Sequence, residues 1–366
     1  MEQFQRMMKS PHSVKEVEAE AATALRALLD EVEAVEVEAV DGEPPATDPG
    51  IDMVVRLTAW HGPHVLVCAI KTNGQPREVR LGLHRLSETA ARFGNGATPV
   101  FIAPYLSPAA RALCRNHGAG YLDLHGNARI VFGGVFIERH VPGKPPTERR
   151  ALKSLFRPKS AQVLRMLLRD PGRSWRVAEL AEAAQVSLGH VSNVRSALIN
   201  RAWAEVADDG LRLSSPGALL DAWRDAYAPP VGQRAGFYTI LHGSAFEDAA
   251  RNALASASGK GRAVFASFSA AQWLAPYGRV GSQQFYADSE GLKVLKAGLR
   301  LAPASKGENV SVTLPKDEGP FLDAIEPAPG IVCTSAVQTY LDLSVSGERG
   351  REAADHLRRE LLRWQT

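Results

Sequence analysis

The hydrophobic and polar positions of this chain follow two periods, one typical of helices and one typical of strands. Val17, Ala21 and Leu25 recur at helical spacing, whereas the run 35–40 alternates apolar and acidic residues. The predicted elements are a helix at 13–32, strands at 35–40, 51–60 and 64–71, a helix at 78–93, a strand at 98–103, a helix at 107–117, and strands at 120–124, 127–132 and 135–139. Helices that connect successive strands predict an α/β domain.

The stretch 174–214 combines two short helices with a hairpin. Apolar residues recur at helical spacing over 177–184, and a polar turn at 185–187 precedes a second helix. The apolar stripe predicted for this second helix consists of Leu188, Val191, Val194 and Leu198. Asp208-Asp209-Gly210 then predicts a tight turn between two short strands. Two helices, a turn and a hairpin together predict a winged helix-turn-helix.

The remainder of the chain, from about 232, has a mixed pattern of helices and strands. The predicted elements are strands at 237–241, 262–268 and 309–314, and helices at 244–256, 335–343 and 350–364. Pro229-Pro230 indicates a domain boundary. We therefore predict an α/β and α+β multidomain protein with an N-terminal domain at 1–145, a central winged helix-turn-helix at 146–230 and an α+β domain at 231–366.

The average composition is that of an ordinary globular protein, but the charges are unevenly placed. The formal net charge of the 366 residues is only +3. Residues 1–50 hold twelve Asp and Glu against four Lys and Arg, whereas residues 139–176 hold eleven Lys and Arg against two Asp and Glu. The basic segment runs directly into the predicted helix-turn-helix. It therefore favours contact with phosphates over a merely solvated linker.

Cysteine usage and hydropathy indicate the cellular environment. Cys68, Cys114 and Cys333 are far apart in apolar contexts, which predicts neither a disulfide framework nor a zinc site. No apolar run approaches the roughly 18 residues needed to cross a bilayer, and we recognise no signal peptide. We therefore expect a cytoplasmic protein that has no contact with membranes.

One face of the second predicted helix suits the major groove of DNA, because it is small, polar and free of carboxylates. The residues predicted on this face are Ser187, Gly189, His190, Ser192, Asn193 and Arg195, with Arg173, Arg176 and Arg201 at phosphates. The partner would be double-stranded DNA, bound without catalysis, metal or other cofactor. The alternative is that the helix-turn-helix only packs against protein, as a dimerisation or spacer unit.

The N-terminal element order resembles the restriction-endonuclease-like fold. In that fold an Asp and a Glu-x-Lys on adjacent strands hold Mg²⁺ beside a phosphodiester. Asp52 and Lys71 match two of these residues, but Ala69 replaces the acidic ligand. The carboxylates that could substitute for it are Glu16, Glu18, Glu20, Glu78 and Glu88. A hard cation needs several oxygen ligands, so we expect an inactive domain. A Mg²⁺-dependent DNA endonuclease using Asp52 and Lys71 is the alternative function.

The run YLDLHGNARI brings Asp123 and Asn127 around a glycine. Two interpretations remain open, a functional site and a hairpin whose Asx side chains cap backbone amides.

Three stretches resemble a known family. They are YLDLHGNARIVFGGVFIER, the central winged helix, and PGIVCTSAVQTYLDLSVSGERGREAADHLRREL, whose most specific part is 338–343 with 347–357. These are similar to type IV toxin–antitoxin regulators of the abortive-infection E antitoxin kind. The resemblance implies an antitoxin-like DNA-binding repressor and, as partner hypotheses, a homodimer and a toxin or other protein bound by the C-terminal domain. A further hypothesis makes that domain the receptor of a small effector.

Overall fold

The computed structural model describes residues 13–42, 50–94, 96–257, 261–278 and 281–364. Most of the segment 41–50, between the first two predicted strands, lies outside the described residues. The chain forms two compact units, 1–148 with 200–202, and 149–199 with 203–366. The predicted division into three domains stays a prediction.

The first unit holds a seven-stranded sheet whose strands lie in chain order. Its elements are α1 (Val14–Asp30), β1 (Glu36–Asp41), β2 (Met53–Ala59), β3 (Gly62–Ile70), α2 (Pro76–Arg92), β4 (Ala97–Ala103), α3 (Pro108–Asn116), β5 (Gly120–Asp123), β6 (Ala128–Phe132) and β7 (Val135–Arg139). The pairs β3–β4 and β4–β5 are parallel and the other neighbours are antiparallel. The α/β architecture predicted for this part is therefore confirmed.

Both faces of this sheet are buried, as the alternating side chains of β2 show. Val55 and Leu57 pack in one apolar cluster with Val17 and Leu25 of α1. Val54 points to the other side, into the cluster that holds residues of α2 and α3. The start of α1 is fixed by a capping box, in which Ser13 and Glu16 satisfy each other's backbone amides.

The second unit begins with helices and a two-stranded hairpin. These elements are α4 (Pro146–Leu155), which spans the boundary, α5 (Pro158–Arg169), α6 (Val177–Ala183), α7 (Leu188–Asn200), β8 (Ala204–Ala207), β9 (Gly210–Leu213) and α8 (Pro216–Asp225). Both predicted helices and the hairpin are present, and α6 ends within one residue of the predicted bound at 184. Ala207 pairs with Gly210, so the turn consists of Asp208 and Asp209, and Gly210 belongs to the strand.

The C-terminal part contains a second seven-stranded sheet, of mixed direction. Its elements are β10 (Gly232–Tyr238), α9 (Gly243–Ala257), β11 (Ala263–Phe265), α10 (Ser267–Leu274), β12 (Gln283–Ala287), α11 (Ser289–Gly298), β13 (Ala302–Pro303), β14 (Val310–Pro315), α12 (Gly319–Leu322), β15 (Ile325–Ala328), β16 (Ile331–Cys333), α13 (Ala336–Ser344) and α14 (Gly347–Leu361). The strand order is β13-β10-β14-β12-β11-β16-β15. The mixed α and β character predicted for this part is confirmed, although several of its elements are not predicted from the sequence.

One apolar core extends from the helices around the hairpin into the C-terminal part. Val191, Val194 and Leu198 of α7 share this core with Tyr340 and Leu341 of α13. All seven residues from 337 to 343 are buried. The family-like run at 338–343 therefore lies inside the second unit, where it joins the helix pair to the C-terminal elements.

Candidate nucleic-acid interface

The turn between α6 and α7 lies where the sequence predicts it. The Ser187 hydroxyl accepts a hydrogen bond from the amide of His190, at 3.3 Å, and so caps α7. Gln185 adopts a left-handed backbone conformation with φ of 53°, which reverses the chain within few residues. The amide of Val186 bonds the carbonyl of Ala181, at 3.0 Å. These contacts fix the second helix relative to the first.

The buried side of α7 is formed by three of the four residues predicted for it. Val191, Val194 and Leu198 are at most 3% exposed, but Leu188 is 56% exposed. Leu188 is the first residue of the helix, so it lies beyond the edge of the core. The prediction that Leu188 belongs to the buried stripe is therefore wrong.

The exposed side of α7 is polar, short and uncharged. Apart from Leu188 at the first position, the exposed members of the helix are Gly189, Ser192, Asn193 and Ser196, and the capping residue Ser187 is exposed beside them. The Ser196 hydroxyl donates to the carbonyl of Ser192. The amide of Asn193 is the longest polar side chain among these residues. Arg195 is partly exposed at the flank. This surface presents donors and acceptors without bulk, as readout of base edges requires.

His190 and Arg201 are turned away from this exposed side. The Nε2 atom of His190 lies 3.1 Å from Ser160 Oγ of α5, and the residue is half-buried. Arg201 forms an ion pair with Glu148, with 3.0 Å between Nη2 and Oε1, and its side chain is only 10% exposed. Both side chains therefore lie among protein partners, although both were predicted to face DNA.

The two arginines that precede α6 are exposed. Arg176 is its N-cap residue. Arg173 forms an ion pair with Glu179, and its guanidinium carbon lies 3.8 Å from the centre of the Trp175 ring. The Arg173–Glu179 pair is solvated, so it is worth at most about 1 kcal/mol and can exchange for another anion.

The hairpin β8–β9 is anchored by an additional backbone pair that the sequence did not reveal. Trp175 and Leu211 exchange two backbone hydrogen bonds, at 2.9 and 2.8 Å. Gly210 allows this pairing because a Cβ there would lie 2.5 Å from the Trp175 carbonyl oxygen. The hairpin is thereby held beside the segment that leads into α6.

A buried polar network lies where α13 meets the helices. The Asp342 Oδ1 atom accepts from Tyr227, Tyr286 and Gln338, at 2.5, 3.1 and 2.9 Å. Gln338 also accepts from Arg165 at 2.5 Å. Burial raises the pKa of Asp342 to about 6, although the three hydrogen bonds and Arg165 oppose that rise. The same burial and the Asp342 carboxyl raise the pKa of Tyr227.

The residues of the nuclease alternative pair with each other in the first unit. Lys71 Nζ donates to Asp52 Oδ2 at 2.8 Å, and the amide of Ile70 donates to the same oxygen at 2.7 Å. Glu16 is engaged in the capping box, and Glu88 lies beside His84. Among the described residues, no group of three or more His, Cys, Asp and Glu side chains is placed to hold a metal.

Asp123 and Asn127 cap backbone amides. The Asp123 carboxylate accepts from the amides of Leu106 and Asn127, at 3.1 and 2.9 Å. Asn127 Oδ1 accepts from Arg111 Nη1 and from the amide of Val141, at 2.6 and 2.9 Å. Asp123 and Asn127 are both 1% exposed. These contacts favour the structural interpretation of the motif.

Comparisons with known proteins agree with the C-terminal resemblance. Residues 212–363 match the family described as "Transcriptional regulator, AbiEi antitoxin, Type IV TA system". The match begins in β9, ends beyond α14 and covers less than half of the 366 residues. It supports the antitoxin-like resemblance for this part of the chain, and a transcriptional regulator is the class of protein to which that family belongs.

Likeness to solved structures is weak. "Structure of EndoMS in apo form" is 17% identical with a TM-score of 0.22, covering 32% of this chain and 48% of that chain. "Crystal structure of a repair endonuclease from Pyrococcus abyssi" is 14% identical with a TM-score of 0.23, covering 32% and 49%. This chain therefore spans about half the length of those structures, and overlap at this level supports no activity. No curated protein matches the chain. No helix of the described part is long and apolar enough to cross a membrane.

Proposed function

We propose that this protein is an antitoxin-like transcriptional regulator that binds double-stranded DNA, without catalysis, through a winged helix-turn-helix. The observation that carries the proposal is the exposed side of α7, which is polar, slender and without a carboxylate. A helix with such a surface fits the major groove. The family match at 212–363 supports the regulator class independently.

The residues divide into those that meet bases and those that meet phosphates. Asn193 is suited to adenine because its amide offers one donor and one acceptor to N7 and N6. Ser187, Gly189 and Ser192 allow close approach of the helix to base edges. Arg173, Arg176 and Arg195 supply positive charge to the flanking phosphates, and the β8–β9 hairpin serves as the wing. His190 positions the helix through Ser160, and Arg201 pairs with Glu148 and makes no DNA contact in this proposal.

The other parts of the chain complete the proposal. Residues 1–145 form a restriction-endonuclease-like domain in which the Asp52–Lys71 pair occupies the position of a metal site. Residues 146–230 form the winged helix-turn-helix, and 231–366 the antitoxin-like domain, which would bind a toxin or another protein. A homodimer would match two half-sites on DNA.

A charge-reversing test on α7 distinguishes DNA binding from mere packing. A duplex would first be selected from a random pool with the full chain. Asn193→Glu should then weaken binding to that duplex at least tenfold, because it brings a carboxylate among phosphates. Binding would be measured by fluorescence anisotropy.

The matched control is Asn252→Glu, at an exposed position of α9 in the same unit. It should leave the affinity unchanged. Failure to select any duplex, or equal losses in the two variants, would contradict the proposal.

A further inference from the structure

A cavity of about 500 Å³ lies beside the junction of α4 and α5 in the second unit. Its walls include Phe156, Trp223 and the proline pair at 229–230. The rings of Phe156 and Trp223 are stacked, with 5.8 Å between their centres and 2° between their planes. Ligand cavities of this size with aromatic walls suit flat organic molecules.

A buried cation lies at the base of this cavity. Arg165 lines it and is only 4% exposed. One guanidinium nitrogen, Nη2, bonds Gln338, whereas Nε and Nη1 have no hydrogen-bond partner among the described residues. A buried guanidinium with two unused donors is costly. It is the kind of group that a carboxylate satisfies with two parallel hydrogen bonds.

The mouth of the cavity is also positive. Lys153, Arg157 and Lys316 line it, and none of the three has an ion-pair partner in the described part of the chain. Asp317 is the acidic lining residue, so the lining carries four cations against one anion. Deeper in the unit, Asp323 and Asp342 also interact with Arg165. Charge at the mouth would draw an anion in, and the aromatic walls would hold its apolar body.

We propose that this cavity is a binding site for a small aromatic carboxylate, with the ring against Phe156 and Trp223 and the carboxylate directed to Arg165. Its uptake can be measured without nucleic acid. The result therefore does not depend on whether the protein binds DNA.

The probe is 1-naphthoate, titrated into the full chain by isothermal calorimetry. We expect saturable binding of one molecule per chain. The neutral analogue 1-naphthalenemethanol and inorganic phosphate should each bind at least tenfold more weakly, because each lacks one half of the recognised chemistry. Absence of saturable naphthoate binding, or equal affinity for either comparison compound, would overturn the proposal.

Variants locate the site. Arg157→Glu combined with Lys316→Glu changes only exposed residues at the mouth and should weaken naphthoate binding at least tenfold. Lys306→Glu combined with Arg359→Glu makes the same charge change at exposed residues outside the cavity and should leave binding unchanged. Equal effects of the two double variants would place the ligand elsewhere. Circular dichroism would confirm that both fold.

Discussion

The carboxyl group of Asp342 has a pKa that its buried surroundings alter in the range where many proteins are studied. It is 5% exposed, and its Oδ2 atom has no hydrogen-bond partner among the described residues. A pKa of about 6 in the folded state, against an ordinary value near 4, means that the folded chain retains a proton that the unfolded chain has released. Stability contributed by this proton is present in acid and is lost as the pH rises through 6.

We predict that Asp342→Asn removes this pH dependence. Between about pH 4 and about pH 7 the free energy of unfolding of the wild type should fall by on the order of 3 kcal/mol more than that of the variant. Urea unfolding followed by tryptophan fluorescence measures this, since five of the six tryptophans lie in the second unit.

Asp248→Asn removes an exposed carboxyl on α9 and is the matched control for Asp342→Asn. It should retain the pH dependence of the wild type. Parallel pH profiles for the wild type and Asp342→Asn would show that the buried proton is absent.

At the scale of single residues, the spacing of apolar residues predicts the buried side of α7 well. It predicts the directions of the polar side chains less well. Val191, Val194 and Leu198 are buried as expected, since the helical period fixes the face. His190 and Arg201 turn to Ser160 and Glu148, which are distant in sequence. Local spacing along the chain cannot reveal partners of this kind. The same holds for the ion pair between Asp52 and Lys71, which lie near the ends of two neighbouring strands.

At the scale of elements, helix α13 packs against helices from both ends of the second unit. It is buried on all sides and shares an apolar core with α7 and α8, while its polar side chains join the Asp342 network. A buried helix of this kind couples the stability of the elements that pack on it. Packing therefore accounts for the apolar and polar pattern of the family-like run at 338–343.

Leu341→Ala tests this coupling. Leu341 is fully buried, so its truncation should cost about 2–5 kcal/mol. Hydrogen exchange should become faster in α7 and α8 as well as in α13. Leu254→Ala, in the separate core around α9, is the control and should affect α7 and α8 less. Equal exchange in α7 and α8 for the two variants would show that α13 does not support the helix pair.

The two sheets differ in how far the sequence predicts them. Strands β2 to β7 of the first sheet follow clear apolar runs bounded by turns, and each lies within two residues of its predicted bounds. In the second sheet, β11, β13 and β16 have two or three residues each, too few to show any period. The helix α10 follows β11 almost directly, where the pattern predicts a continued strand. Short elements are fixed by tertiary contacts rather than by local pattern.

For the whole molecule, the distribution of charge matters more than its sum. The basic segment 139–176 precedes and enters the helix pair, but Arg165 within it is buried and adds nothing to the surface. The proposed DNA contact therefore depends on exposed residues such as Arg173 and Arg176, together with the neutral side of α7. Binding of this kind should weaken steeply with salt, because each phosphate contact releases a counterion.

Methylation interference on the selected duplex tests the central claim most directly. Dimethyl sulfate modifies guanine N7 in the major groove and adenine N3 in the minor groove, so one experiment distinguishes the two. If α7 lies in the major groove, methylation of guanine N7 within the half-sites should abolish binding by the full chain. Interference confined to adenine N3, or none at either position, would contradict the account.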